Sequence, residues 1–216
     1  MPEAEVAVVD FGTGNLYNVE RALFHVGLRA RTTSSPADVL GARGVVLPGV
    51  GAMRDAMQAL DESGLGDALR KVAERGTPLF GVCLGMQLLM EHGNEFGPHT
   101  GLGIIPGSVV QFKTERGLKV PHIGWNSVVR PDQAPDRWLH TPLEGLPRKV
   151  YQYFVHSYYV EPSDLNLVAG VTTYGGQEFC SVLSRHNVFG CQFHPERSGP
   201  TGLRMYQRFA RMVSRS

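Results

Sequence analysis

Residues 77–90 read TPLFGVCLGMQLLM. A short apolar run ends at Gly81-Val82-Cys83-Leu84-Gly85, and a helix-like apolar pattern starts directly after it. A continuous apolar run closed by glycine fits a strand buried on both faces, and such strands belong to parallel sheets covered by helices. The stretch therefore predicts strand, sharp turn, then a helix over LGMQLLMEH (84–92), within an α/β fold.

The same alternation extends toward the N-terminus. EVAVVD (5–10) is a β-branched run that ends in the turn FGTGN. Leu16, Val19, Leu23 and Val26 then recur at helical spacing, with Gly27 placed as a C-cap. Residues 28–33 fit a second strand, and GVVLPGVGA (44–52) fits a buried strand entering a glycine-rich turn. Helical patterns cover 53–60 and 65–74. Toward the C-terminus the character changes to short runs such as GSVVQFK, WNSVVR, YQYFVHSYYV and NVFGCQFHPE. These predict antiparallel or mixed additions to the sheet. The tail closes on an amphipathic helix with Leu203, Tyr206, Phe209 and Val213 on one face. No repeat, low-complexity tract or linker interrupts the chain, so residues 1–216 are expected to form one domain.

Composition narrows the class. Of 216 residues, 42% are hydrophobic and 19% charged, the balance of a globular protein. A net charge of +1 gives no electrostatic reason to bind nucleic acid or an anionic membrane. No apolar run approaches the ~20 residues of a membrane span. MPEAEVAVVD lacks the basic start of a signal peptide. Cys83, Cys180 and Cys191 form no CxxC pair, so neither a disulfide framework nor a zinc site is expected. The expected compartment is the cytoplasm. With no phosphate loop or metal-ligand cluster, no cofactor and no metal are expected.

Cys83 is either core packing or a nucleophile. It lies where a buried strand meets a helix, and ligands of open α/β sheets bind at the carboxyl ends of strands. Gly81 and Gly85 permit the sharp turn that displays a nucleophile at its apex. The helix start favours an anion, and the Leu84 N–H points where an oxyanion would form. A cysteine nucleophile also needs a base and a group to orient that base. His194 closes the buried run NVFGCQF, and Pro195 biases it toward an extended backbone. In an extended segment residues 194 and 196 share a face, so Glu196 can bond one imidazole nitrogen and leave the other for Cys83.

With GVCLGMQ, the distant QFHPE and the turn PGVGA in this order, the chain resembles class I glutamine amidotransferases. The resemblance implies a flavodoxin-like α/β fold, with a mixed, mostly parallel sheet covered by helices on both faces. It also implies hydrolysis of the glutamine side-chain amide through a thioester, releasing ammonia to a synthase. Cys83 would be the nucleophile, His194 the general acid and base, and Glu196 the orienting carboxylate. Within the family, PHIGWN (121–126), YFVHSYY (153–159) and GTGNLYNV (12–19) resemble free-standing glutaminase subunits that pair, as a heterodimer, with a (βα)8-barrel cyclase.

Further roles follow from the resemblance. Gln87, Glu95, Ser157 and Tyr158 would contact L-glutamine, with Glu95 taking its ammonium group. Val50, beside Gly51 in PGVGA, would supply the second oxyanion donor with Leu84, after its peptide flips. Asn15, Trp125, Asn126 and Arg185 would face the partner. His122 and His156 receive positioning or interface roles, and Tyr151, Tyr153 and Phe154 are read as sheet core. Three alternatives stay open: a glutaminase subunit for anthranilate, pyridoxal phosphate or purine synthesis; a peptidase-like Cys-His hydrolase; and a non-catalytic relative.

Overall fold

The computed structural model describes residues 5–114, 117–132 and 136–215; the first four residues of the MPEA start lie outside them. The elements run β1 (Val6–Val9), α1 (Leu16–His25), β2 (Ala30–Thr33), α2 (Pro36–Gly41), β3 (Gly44–Gly49), α3 (Met53–Glu62), α4 (Leu65–Glu74), β4 (Leu79–Cys83) and α5 (Leu84–Leu88). There follow β5 (Met90–Gly93), β6 (His99–Thr100), β7 (Ile105–Gln111), β8 (His122–Val129), β9 (Lys149–His156), β10 (Tyr158–Pro162), β11 (Val168–Tyr174), β12 (Gln177–Arg185), β13 (Val188–Cys191) and α6 (Gly199–Val213).

One mixed sheet carries the fold. Its main path is β2-β1-β3-β4-β13-β12-β10-β7-β5-β6, and β11, β8 and β9 branch from β12. The strands from β2 to β13 are mutually parallel, and β12 turns the direction by pairing antiparallel with β13. The order 2-1-3-4 is that of flavodoxin-like sheets.

Strand alternation divides the core between the two faces. Val6, Val8, Phe80 and Val82 pack against α1 and α6, whereas Ala7, Val9, Val45 and Leu47 pack with the side chains of α3, α4 and α5. On the first face Phe80 meets Phe209 at 5.6 Å and Tyr206 at 6.1 Å between ring centroids. The predicted stripe of the last helix is buried at Tyr206, Phe209 and Val213, with Leu203 only partly covered.

One local reading changes, and two segments lacked an apolar signal. The helix after Cys83 stops at Leu88, and Met90 opens β5, which runs parallel to β7. Tertiary pairing overrides the helical periodicity of LLMEH there. The helix α2 has no apolar stripe, and its signal is polar: Ser35 accepts from the Asp38 N–H, and Pro36 occupies the first turn. Residues 136–146 form no regular element, yet Trp138 is fully buried and donates its indole N–H to Ala169 O.

Two interior histidines tie stability to pH. Burial lowers the pKa of His122 to about 4 and that of His156 to about 3. Both rings are neutral when folded, while the unfolded chain protonates near the ordinary value of 6.5. Below that value the unfolded state binds more protons, so stability falls as pH falls. His194, whose pKa is raised, offsets little of this, because below its ordinary value of 6.5 it becomes protonated in both states. As pH falls from 6.5 to 5 the loss steepens, approaching about 1.4 kcal/mol per pH unit for each ring once the unfolded side chain is fully protonated. Denaturant melts across that range check it; a flat profile contradicts the neutral interior pair.

Candidate active site

Cys83 ends β4 and begins α5, with φ 56° and ψ −111°, a backbone conformation that costs energy for any residue but glycine. The flanking glycines make the turn possible. A Cβ at Gly85 would lie 1.7 Å from Leu47 O on β3, and one at Gly81 would lie 2.8 Å from Gly85 O. The turn is thus pressed against the neighbouring strand, and the thiol stands at the carboxyl end of the sheet.

β13 brings the base to the same end. It pairs with β4 in parallel, Cys191 opposite Val82, and His194 follows shortly after. His194 Nδ1 and Glu196 Oε1 are 2.8 Å apart. The route differs from the expected one: Pro195–Arg197 is a 3-10 turn, not an extended strand. Arg197 N–H donates to His194 O at 3.0 Å, which folds Glu196 back onto the ring. The Glu196 carboxylate is wholly buried, and its Oε1 also accepts from Asn15 Nδ2 at 3.1 Å. Ser198 Oγ donates to His194 O and accepts from the Tyr153 N–H, pinning the turn to β9.

His194 Nε2 is buried without a hydrogen bond of ordinary length; the group it faces is the Cys83 sulfur. Burial pushes the imidazolium pKa down. The hydrogen-bonding pull of Cys83, then that of Glu196, and the attraction of both charges outweigh it and hold the pKa up at about 10. The ring therefore carries its charge beside the sulfur. The other cysteines differ: burial pushes the Cys180 thiol up to about 12 and Cys191 further still.

The thiol opens on a cleft of about 280 Å³ lined by Val50, Gly51, Leu84, Gln87, Glu95 and the wall Val155–Tyr158. A larger cleft of about 650 Å³ lies between β10 and β12, away from His194. Its thiol is the inert Cys180, so size does not locate the chemistry.

The model of the family described as glutamine amidotransferase class-I matches residues 7–213. The chain is 45% identical over 209 residues to the imidazole glycerol phosphate synthase subunit HisH of Desulfitobacterium hafniense, covering 97% of this chain and 95% of that one. The subunit of the same name from Thermosynechococcus vestitus is 42% identical, with 99% of both chains covered. The chain belongs to the class-I glutamine amidotransferase family. A solved glutamine amidotransferase shares the fold, with TM-score 0.73 at 19% identity over 97% of this chain and 99% of that one.

Within this amidotransferase the remaining predicted residues separate. Val50 is 42% exposed at the cleft mouth, and Gly51 follows it with φ +100°. Leu84 lines the cleft beside the thiol. Glu95 also lines it, but its Oε2 already accepts from Met53 N–H at 2.8 Å, capping α3 from another segment. Burial and the Glu95 charge both raise the pKa of the nearby Tyr158 phenol. Gln87 spends its amide nitrogen inside the protein, on Tyr158 O at 3.0 Å and Gln192 Oε1 at 3.1 Å. Only its oxygen remains for a ligand. The Ser157 carbonyl is likewise taken, by the Phe112 N–H.

The residues predicted to face a partner do not share one surface. Trp125 is exposed on the outer side of β8, with Ile123 and Tyr151. Asn126 turns inward instead, donating to Thr173 O at 3.0 Å. Asn15 serves Glu196. Arg185 pairs with Val188, itself opposite Leu79 at the start of β4. It therefore lies at the end of the sheet away from Cys83, with its guanidinium on Ile104 O. Tyr151, read as core, is 57% exposed.

Gln192 escaped the sequence reading. It is fully buried, and its Nε2 donates to Cys83 Sγ at 3.7 Å. Its signal was its place two residues before His194 on an extended segment, which puts both side chains on one face.

Proposed function

We propose that this chain is the glutaminase subunit of an imidazole glycerol phosphate synthase. It hydrolyses L-glutamine to glutamate and ammonia and passes the ammonia to a (βα)8-barrel cyclase, its heterodimer partner. The cyclase combines it with the ribotide PRFAR to form imidazole glycerol phosphate and AICAR on the route to histidine. Residues 1–216 act as a single amidotransferase domain in the cytoplasm. No helix among the described residues is long and apolar enough to cross a membrane.

The observation that carries the reading is the buried Glu196–His194 couple, at 2.8 Å, turned toward a thiol at the mouth of an amino-acid-sized cleft. The Cys83 thiolate attacks the δ-carbon of glutamine, and the carbonyl electrons move onto oxygen. Leu84 and Val50 N–H groups stabilise that oxyanion. Its collapse breaks the C–N bond while His194 gives a proton to the leaving nitrogen, releasing ammonia and leaving a thioester. His194 then takes a proton from water, whose oxygen adds to the thioester, and glutamate leaves as the thiolate returns. Glu196 holds the ring's orientation and stabilises its charge throughout, with Asn15 steadying the carboxylate. The exposed Trp125, Ile123 and Tyr151, continuous with this end of the sheet, support a partner face there.

Glutamate release, measured alone and with the cyclase and its ribotide, tests the proposal. Turnover is expected to be low alone and to rise when both are present. A rise with a different synthase, or cleavage of peptides without glutamine, overturns it. Val50→Pro removes one N–H and is expected to lower the stimulated kcat by ~10²–10³-fold. Full stimulation of that variant would exclude Val50 as an oxyanion donor.

A further inference from the structure

Behind the cleft wall, four polar groups form a hydrogen-bonded chain. Asn126 Nδ2 lies 3.3 Å from His122 Nε2, His122 Nδ1 lies 2.9 Å from His156 Nε2, and His156 Nδ1 lies 2.8 Å from Tyr158 O. The two rings face each other directly across β8 and β9. An aromatic box encloses them. Tyr174 and Phe154 stack on either side of His122, at 4.0 and 4.9 Å between centroids, and Phe112 and Phe179 each lie 5.2 Å from His156.

Chemistry at the two ends determines every proton between them. A carbonyl only accepts, so His156 Nδ1 carries hydrogen. One proton fits between ring nitrogens 2.9 Å apart. At the far end, Asn126 Nδ2 also donates to Thr173 O, and Asn126 Oδ1 accepts from the Ser127 N–H. Those two backbone partners identify the amide nitrogen, so His122 Nε2 must accept. His122 Nδ1 is then the donor and His156 Nε2 the acceptor. A second proton on either ring would set two donors against each other, and burial independently keeps both rings neutral.

The chain ends on a functional atom. Tyr158 O also accepts from Gln87 Nε2, which reaches Gln192 Oε1, whose amide nitrogen contacts the nucleophile. His156 and Tyr158 both line the cleft. We propose that Asn126, His122 and His156 form a tautomer-locked chain that positions the Tyr158 carbonyl and Gln87, holding the wall against which glutamine binds. These are positioning residues, and their effect on glutamine rests on the amidotransferase reading.

The test pairs each ring with two replacements in the full chain. Phe keeps the ring's bulk and loses both nitrogens; Asn places an N–H near the position of Nδ1. His122→Phe is expected to raise KM for glutamine about tenfold with kcat within about threefold, and His122→Asn to restore KM to within about threefold of wild type. His156→Phe and His156→Asn should follow the same order. Equal behaviour of the Phe and Asn variants, or a loss confined to kcat, overturns the proposal. If the Phe variants do not fold, 15N NMR of the wild-type rings decides: both are expected as the Nδ1–H form, the minor tautomer of free histidine. An Nε2–H signal from either ring overturns the chain. This readout needs no turnover, so it stands apart from failure of the glutaminase reading, which wild-type assays report.

Discussion

Cys83→Ala is expected to abolish glutamate release from glutamine, lowering kcat by about 10⁴-fold or more, while the protein stays folded. The loss is large because, in the proposed mechanism, the thiol is the group that bonds to the substrate carbon. In that mechanism His194 and Glu196 activate it but cannot replace it. Cys180 and Cys191 cannot substitute either, since each is buried with its thiol pKa raised. Folding should survive because alanine keeps the Cβ and the same strained φ of 56°. Cys83 is 6% exposed, and the substitution gives up only its sulfur. The measurement is single-turnover glutamate formation beside a thermal melt. Activity that persisted in a folded Cys83→Ala protein would remove the enzyme reading altogether.

Gly85→Ala is expected to prevent stable folding, with a cost beyond about 4 kcal/mol, the range reserved for backbone clashes and buried disruption. The added Cβ would sit 1.7 Å from Leu47 O, a backbone atom of a central strand. No side-chain rotation relieves that contact. Either α5 must leave β3, which dismantles the turn carrying Cys83, or β3 must move against β1 and β4. Gly41→Ala is the control. Its Cβ meets nothing within 4 Å, and it ends α2 without a positive φ, so its melting temperature should stay near wild type or rise slightly. Gly85→Ala with a melt indistinguishable from that of Gly41→Ala would disprove the close approach of turn and strand.

Much of this architecture was legible in the chain because it is written in local chemistry. Apolar runs that end in glycine-bearing turns marked β1, β3 and β4, since a strand buried on both faces leaves no polar position. The same grammar located Cys83 between two glycines. His194 and Glu196 were visible as a pair, although the reason they meet is a 3-10 turn and not strand alternation. The residues that escaped were those whose partners are remote. Gln192 reads as one more strand residue until the cysteine of a neighbouring strand lies against it. Asn15 was expected on the partner face, and its role changed once Glu196, 181 positions away, accepted its hydrogen bond.

Sequence by itself determined the alternating α/β order, the parallel start of the sheet, the strained cysteine turn and the family to which the chain belongs. The first three depend on residues within a few positions of one another, where steric limits and hydrophobic period act directly, and the family on several such short motifs in a fixed order. Only the tertiary structure decided that Arg185 lies at the end of the sheet away from Cys83. It alone decided that Glu95 caps α3, that Gln87 is bound from within, and that two histidines 34 positions apart share one proton. Those outcomes depend on strand order and register, which no local pattern encodes, because one residue of slip turns every side chain to the opposite face.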